Sequence, residues 1–430
     1  MSNKIKPSIL PGFMELLPKE QLVFNDIVSK ITGVYEQNGF LPMDTPIIEK
    51  EEVLLAKSAG ETEKQVYRID KEDKRQVLRF DLTVPFSRFA AQYMNDLTFP
   101  FKRYQLGKVY RGERNQKGRY REFYQCDVDV VGNGSLSIKN DAFVINMASK
   151  ALKKIGLNSY KFQISNRKIL TGILEGLNIT NMQEVMILID KYDKITEEQF
   201  LSDLVKLVGE ENSKVIDEVI KISGSSDDVV EGLKKVAVKN EMLEKGIEET
   251  EEVIKYLKLF GVEDSEYAIN LKIIRGLDYY TGTVFETLLT GNESYGSICS
   301  GGRYDNLAQN YTENVLPGVG MSIGITRLFF VLKEIGFIEN YKESLNDKYL
   351  IIPIGETFEY CTEVLNKLLQ SGKSAEIYFE DGKLKKKLTY ANKLDIKYVI
   401  LIGEDEVTNS ELVIKDMVTG EQKKLKIEEL

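Results

Sequence analysis

The chain has 430 residues, 42% of them hydrophobic and 29% charged, with a formal net charge of −9. This allows two or three soluble domains with an ordinary core. It excludes a protein that coats nucleic acid non-specifically, but not a local basic site on an acidic body. Histidine is absent, which excludes a Ser-His-Asp triad, a Cys-His pair and any His-ligated metal. Chemistry must then come from Arg, Lys, Tyr, carboxylates, or a substrate's own groups with Mg²⁺. Cys126, Cys299 and Cys361 are far apart and form no CxxC pair, so a reducing compartment and no structural zinc are expected. Residues 1–10 carry no long apolar run and no stretch is long enough to span a membrane, so neither a signal peptide nor a membrane anchor is expected.

In chain order, Val23, Ile27, Ile31 and Val34 recur at helical spacing, with Gly39 as the stop. An extended piece follows over 40–49. Residues 77–81 read as a strand and 84–93 as a helix. Residues 103–111 and 121–131 read as two strands joined by a polar loop with Gly112 and Gly118. The region 170–262 is rich in Glu, Lys, Ile, Leu and Val and reads as a helical insertion. Strand patterns return at 269–274, 283–289 and 316–323, followed by a helix that carries Ile325, Leu328, Phe329 and Leu332 and ends at Gly336. Residues 337–346 are a polar connection. Beyond it, strands at 348–354, 375–379 and 397–402 alternate with helices at 357–370 and 383–393. Strands at 411–416 and 422–427 close the chain. This alternation predicts a small α/β domain with a largely parallel sheet.

The segment 101–125, FKRYQLGKVYRGERNQKGRYREFYQ, holds eight basic and two acidic residues. Arginine dominates its centre, which suits bidentate grip on phosphate; by composition alone a solvated basic hairpin fits equally well. The strand that follows favours a function. Alternation puts Phe123, Gln125, Asp127 and Asp129 on one face and Tyr124, Cys126, Val128 and Val130 on the other. Carboxylates on a central strand are costly unless they bind something, so a cationic ligand beside an anionic one is expected.

That segment resembles motif 2 of the class II aminoacyl-tRNA synthetases in its histidyl form. RGLDYYTGTVFE at 275–286 and CSGGRYDNL at 299–307 are similar to the histidyl signatures. GVGMSIGITRL at 318–328 resembles motif 3, GFLPMDTPIIE at 39–49 motif 1, and LRFDLTVPFSR at 78–88 a histidine-site segment. The motifs run in order along nearly the whole chain. The resemblance implies an α+β fold: a class II antiparallel sheet flanked by helices, with a helical insertion and a C-terminal α/β anticodon-binding domain. The expected boundaries are 1–169 and 263–336 for the two parts of the catalytic domain, 170–262 for the insertion, 337–346 for a linker and 347–430 for the anticodon-binding domain.

The resemblance also implies roles. Arg111 would hold the ATP α-phosphate, Glu113 the adenine amino group and Phe123 the adenine ring, while Arg119 and Arg327 would grip the outer phosphates. Arg327 falls in the first turn of its helix, where backbone N–H groups also favour anions. Arg275, with Arg111, would be catalytic and stabilise charge as the histidine carboxylate attacks. Asp81, Thr83, Gln125, Asp129, Arg275, Tyr279 and Tyr280 would form the histidine site, with one of the two tyrosines serving core packing. Gly301 and Gly302 would permit close approach to the ligand, while Arg303 and Asp305 would form a buried structural pair. Arg114 and Gln116 would reach the acceptor end of tRNA, against the alternative of a loop that folds over ATP alone. Lys383, Lys385, Lys386 and Lys387 fit either a solvated helix face or a contact with the tRNA backbone.

Three positions depart from the family pattern: Asp81 and Asp129 are Glu in many members, and Glu15, in PGFMELLP at 11–18, stands where an Asp is usual. The implied activity is ATP-dependent ligation of L-histidine to histidine tRNA, with Mg²⁺ accompanying ATP, in a cytoplasmic homodimer. The alternative is an inactive relative serving as a regulatory subunit in histidine biosynthesis. Such relatives typically lack the C-terminal domain and ATP-site arginines, which this chain keeps. The absence of histidine fits compositional drift; the alternative is that a synthetase that contains none could still be made when charged histidine tRNA is scarce. Adding histidines at tolerant surface sites and measuring enzyme level during histidine starvation tests that reading; no fall relative to the parent removes it.

Overall fold

A computed structural model describes residues 5–56, 61–71, 75–114, 116–274, 279–341 and 347–430. The chain divides into two units, Met1–Tyr341 and Lys342–Leu430.

The first unit opens with α1 (Pro18–Gln37), which buries Val23, Phe24, Ile27, Ile31, Val34 and Tyr35. Proline at its start has no helical N–H to lose. Gly39 turns the chain out of the helix at φ +80°, a conformation that favours glycine. There follow β1 (Leu41–Pro42), β2 (Ile48–Lys50), α2 (Glu51–Leu54), α3 (Glu61–Gln65), β3 (Arg68–Ile69), β4 (Gln76–Leu78) and α4 (Thr83–Gln92). Strands β5 (Phe101–Tyr110) and β6 (Glu122–Val131) form a long hairpin, followed by α5 (Lys139–Lys154) and β7 (Tyr160–Asn166). Five helices come next: α6 (Arg167–Gly176), α7 (Met182–Ile189), α8 (Glu197–Ile220), α9 (Ser226–Lys234) and α10 (Glu241–Leu259). The unit is completed by β8 (Tyr267–Ile269), β9 (Thr283–Leu289), β10 (Cys299–Tyr304), β11 (Gly318–Ile323) and α11 (Ile325–Glu334).

Eight strands form one sheet in the order β1-β5-β6-β11-β10-β9-β7-β8. The six inner strands are antiparallel to their neighbours, and the short edge strands β1 and β8 pair in parallel. Alternation then decides which side chains meet the helices. Cys126, Val128 and Val130 of β6 and Val319, Met321 and Ile323 of β11 share a core with α1, α5, α10 and α11. The opposite face is left for polar groups.

The interval expected to be a helical insertion is helical, and its two ends are built into this core. Ile169 and Ile173 of α6 and Leu243, Ile247, Val253 and Leu257 of α10 belong to it, whereas α7 and α8 gather around a separate cluster with Phe200, Leu204 and Ile216. Helices α6 and α10 meet closely because Gly172 faces the Leu243 backbone and Gly246 the Ile169 backbone. The strand expected over 269–274 ends at Ile269, because the Asn270 side chain accepts from Lys272 N and turns the chain. The connection expected from 337 is packed in its first part, since Phe337, Ile338 and Tyr341 lie against the core.

The second unit contains β12 (Lys348–Pro353), α12 (Phe358–Gln370), β13 (Ser374–Ile377), α13 (Leu384–Lys393), β14 (Tyr398–Ile402), α14 (Glu404–Asn409), β15 (Glu411–Asp416) and β16 (Gln422–Lys426). Its sheet order is β13-β12-β14-β15-β16. The first three strands are parallel and the last two antiparallel. Ile351, Ile400 and Ile402 pack with Cys361, Val364 and Leu368 on one side. Leu350, Ile352 and Val399 pack with Ala391 on the other. Apolar runs buried on both faces are what a parallel core requires. The α14 helix was not expected from the sequence.

Candidate active site

The polar face of β6 carries Phe123, Gln125, Asp127 and Asp129. Strand β11 places Ser322 opposite Asp127 and Gly320 opposite Asp129. Strand β10 sets Ser300 against Ser322 and Gly302 against Gly320. A cavity of about 250 Å³ opens over the first half of this stripe.

Arg111, Glu113, Arg119, Phe123, Gln125 and Arg327, six of the residues expected at the site, line that cavity. The Arg111 guanidinium lies 4.5 Å from the Phe80 ring and 5.2 Å from the Phe123 ring, and its Nε donates to the Phe80 carbonyl at 3.1 Å. Cation–π contact from both rings fixes the group without neutralising it. Arg119 pairs with Glu113 at 3.3 Å. Arg327 donates to the Tyr295 carbonyl, while its Nε is buried without a hydrogen-bond partner. Burial, and then the charge of Arg119, press its pKa below the ordinary arginine value. Two cations so placed favour a polyanion. Gly118, at φ +74°, brings the hairpin loop onto the Phe330 ring of α11.

The far half of the stripe is buried and largely occupied by protein contacts. Asp129 is 2% exposed. Its Oδ2 lies 2.6 Å from Arg103 Nη2, and its Oδ1 accepts from the Tyr304 hydroxyl at 2.6 Å. Arg103, itself fully buried, also donates to Gln105 Oε1 and the Leu82 carbonyl and lies over Phe86. Asp81 Oδ1 accepts from Val84 N at 2.9 Å and so starts α4; burial raises its pKa. Thr83 stands near the Tyr279 hydroxyl and offsets a little of the rise that burial gives its pKa.

Tyr279 is the packing tyrosine of the pair, within a cluster that includes Val77, Phe80 and Leu307. Tyr280 packs edge-on to it at 5.0 Å. Its ring occupies the space above Gly302, and its pKa is raised by burial, then by the charges of Asp129, Asp127 and Asp81. The three carboxylates therefore face Tyr280. Gly301 and Gly302 make room for protein groups, a difference from the expected approach to ligand. A Cβ at Gly301 would strike the β11 backbone, and one at Gly302 would strike Thr283 and Tyr280.

Gln125 Nε2 donates to Ser322 Oγ at 2.7 Å, and its Oε1 is buried without a partner. Asp127 is 2% exposed, and its Oδ1 likewise has none. Burial pushes its pKa up to about 7, partly offset by Arg103 and reinforced by Asp129. Arg103, Asp127 and Ser322 were not among the expected site residues. Alternation already placed Asp127 between Gln125 and Asp129; Arg103 and Ser322 carried no signal short of strand register.

The expected Arg303–Asp305 pair is a three-residue arrangement. Arg303 grips Asp141 at 2.6 Å and reaches Asp305 at 3.3 Å. Asp141, on α5, is the tighter partner because it is buried with the guanidinium. Arg114 and Gln116 are exposed, outside the cavity lining. Arg275 lies outside the described residues. Among the described residues no three His, Cys, Asp or Glu side chains gather to hold a metal, and no helix is long and apolar enough to cross a membrane.

Residues 12–328 match the family described as histidyl-tRNA synthetase, and 348–430 match the anticodon binding domain. The chain is 91% identical to a histidine–tRNA ligase of Clostridium acetobutylicum, over the whole of both chains. It is 50% identical to that of Clostridium tetani, over 99% of this chain and 97% of the other. A crystal structure of histidyl-tRNA synthetase from a Nostoc species superposes with a TM-score of 0.90 at 36% identity, covering 99% of both chains.

Proposed function

The chain belongs to the histidyl-tRNA synthetase family, and from that premise we propose how its pocket divides the work. The activity is ligation: L-histidine and ATP give histidyl-adenylate and pyrophosphate, and histidine then passes to the 3′ end of histidine tRNA. Residues 348–430 form the anticodon-binding domain. A regulatory role gains no support, because the chain is 91% identical to a ligase along its full length.

The observation that carries the assignment is the convergence of Arg111, Glu113, Arg119, Phe123 and Arg327 around one cavity. Adenine lies on Phe123, with its amino group at Glu113. Arg119 and Arg327 take the outer phosphates, and Arg111 takes the α-phosphate. Mg²⁺ enters with ATP, as part of that substrate.

Histidine lies beyond, against Gln125, Tyr280 and the Asp81, Asp127 and Asp129 carboxylates. Its own carboxylate is already a nucleophile, so the step needs positioning and charge stabilisation rather than proton transfer. The C–O–P bond forms at the α-phosphorus as the bond to pyrophosphate breaks. Arg111 and Arg275 meet the charge that develops there; the role of Arg275 rests on the likeness of its segment to the family signature. A chain without histidine side chains is equipped for such a reaction.

The exposed Arg114 and Gln116 are assigned to the tRNA acceptor end, since Arg engages phosphate or guanine and Gln reads base edges. A homodimer fits the apolar residues that the motif 1 segment leaves in water, Leu41, Ile47 and Ile48. The site of action is the cytoplasm.

Magnesium-dependent exchange of labelled pyrophosphate into ATP, with each amino acid added in turn, tests the reading. Exchange with histidine alone is expected; a folded protein that exchanges with none overturns it. In the same assay Arg275→Ala should lose adenylate formation while histidine binding persists. Near-parental exchange would remove Arg275 from the mechanism.

A further inference from the structure

The Arg327 side chain is held at both ends. Its backbone belongs to the first turn of α11, where Thr326 accepts from Tyr124 N of β6 at 2.8 Å and Ile325 and Leu328 are buried in the core. Its tip meets the connection between β9 and β10, where Arg327 Nη2 donates to the Tyr295 carbonyl. That connection is itself tied down. Gly296 N donates to the Glu293 carbonyl at 2.8 Å. Ser297 Oγ accepts from Thr287 N at 3.2 Å and donates to the Cys299 carbonyl at 2.8 Å. The Tyr295 ring lies edge-on to Phe330, three residues beyond Arg327 on α11.

Gly296 makes this contact possible in two ways. It closes the turn at φ +74° and ψ −171°, a conformation essentially confined to glycine. Relief of that φ would rotate the peptide between residues 295 and 296, and the Tyr295 carbonyl with it. A Cβ on Gly296 would also lie 2.7 Å from Arg327 Nη2. That atom is the far end of a long side chain, so the arginine rather than the backbone would give way.

We propose that the turn at 293–296 is a positioning element for Arg327: the Tyr295 carbonyl holds the guanidinium at the cavity, and the bare Cα of Gly296 leaves the space it needs, presetting it for the outer phosphates of ATP. The proposal deepens the assignment of Arg327 to those phosphates and rests on it.

Two considerations favour it. A carbonyl holds an arginine without neutralising it, whereas Arg119, the other cation assigned to the outer phosphates, is paired with the Glu113 carboxylate. The charge of Arg327 is thus kept for the ligand. An arginine side chain also has much rotamer entropy to lose on ordering, and a tip already held has lost it before ATP arrives. The end of the turn borders the same cavity, since Ser297 and Arg327 both line it.

The test is calorimetric titration of the full chain with ATP and Mg²⁺, and with AMP, which lacks the outer phosphates. Gly296→Ala should weaken ATP about tenfold and leave AMP at the parental affinity. Loss of both in step would mark a general loss of packing and overturn the proposal. Gly291→Ala is the control. Gly291 lies in the same connection at φ +78°, with open space where its Cβ would go, and ATP affinity should stay parental. If Gly291→Ala weakens ATP as much as Gly296→Ala, strain in the connection is responsible and the proposal falls. Arg327→Ala should weaken ATP at least as far, and adding Gly296→Ala to it should do no further harm. A further loss, or a Gly296→Ala variant that binds ATP as the parent does, overturns the proposal. If Arg327→Ala itself leaves ATP affinity parental, the assignment of Arg327 to phosphate falls and the proposal with it. Far-UV circular dichroism checks that each variant folds; if Gly296→Ala fails to, Gly296→Asn, which carries the same Cβ and tolerates positive φ better, decides in its place.

Discussion

The two ends of β6 solve opposite problems. At the Phe123 end Arg119 is exposed, Arg327 is half-buried with its Nε unpaired, and Arg111 is held by aromatic faces that leave its charge intact. At the Asp129 end the charges are buried and already paired, with Arg103, Asp129 and Tyr304 locked together. The first end attracts a polyanion by charge that folding did not consume. The second carries a preset polar geometry whose desolvation cost was met when the protein folded. A ligand that matches it gains, and one that does not leaves buried groups unpaired, which is how polar sites discriminate most strongly. On the proposed assignment the nucleotide is held mainly by charge, and the amino acid mainly by prior organisation.

The sharpest way to break that contrast is Arg103→Leu. It would strand Asp129 and Asp127 without their cation and should cost about 3–5 kcal/mol in urea unfolding. Parental stability would show that the buried end is not held by that pair. Arg111→Ala should instead leave the melting temperature nearly unchanged while lowering the exchange rate about 10²–10³-fold. A large stability loss would place Arg111 with the buried group.

Asp127→Asn tests the burden directly. The folded pKa of Asp127, about 7, lies above its ordinary value of 3.8. The folded state thus holds the proton more tightly, and stability from this group is present at low pH and is lost as pH rises towards 7. Arg103 on β5, Asp129 on its own strand, Ser322 on β11, and Asp81 and Tyr280 from the flanking segments all face it. The variant should be more stable than the parent by about 1–3 kcal/mol at pH 8, with the gap narrowing at pH 5. Equal melting temperatures at both would mean that its charge is fully compensated. The smallest effect should come from salt. Raising KCl from about 0.05 to 0.5 M should lift the ATP KM a few-fold and leave the histidine KM in place.

Much of this was legible in the chain. The hairpin β5–β6 announced itself by alternation and by its cluster of arginines, and the resemblance picked out five nucleotide-end residues that the fold brings together. Local pattern could also say that Asp127 and Asp129 share a face. It could not say that Asp129 is already engaged by Arg103 and Tyr304, because that depends on register between strands far apart in sequence. Ser322 was invisible for the same reason: a serine in GMSIG has no meaning until β11 is set beside β6. The glycines of SGGRYD looked like room for a ligand, yet the room is taken by a neighbouring strand and a tyrosine ring. Residues 269–274 had the apolar content of a strand, and one asparagine side chain ended it.

Strand β6 finds its neighbour β11 only across a long stretch of chain. The Gln125–Ser322 and Tyr124–Thr326 contacts span 197 and 202 residues. On a ribosome that adds about 5–20 residues per second, the second strand arrives roughly 10–40 s after the first. Through that interval the half-made chain holds the arginines of the hairpin but not the strand that organises Gln125, nor Arg327. On the proposed assignment the ability to choose an amino acid is thus among the last properties the growing polypeptide acquires, and a fragment cut short before β11 would carry the phosphate-seeking charge without the means to use it.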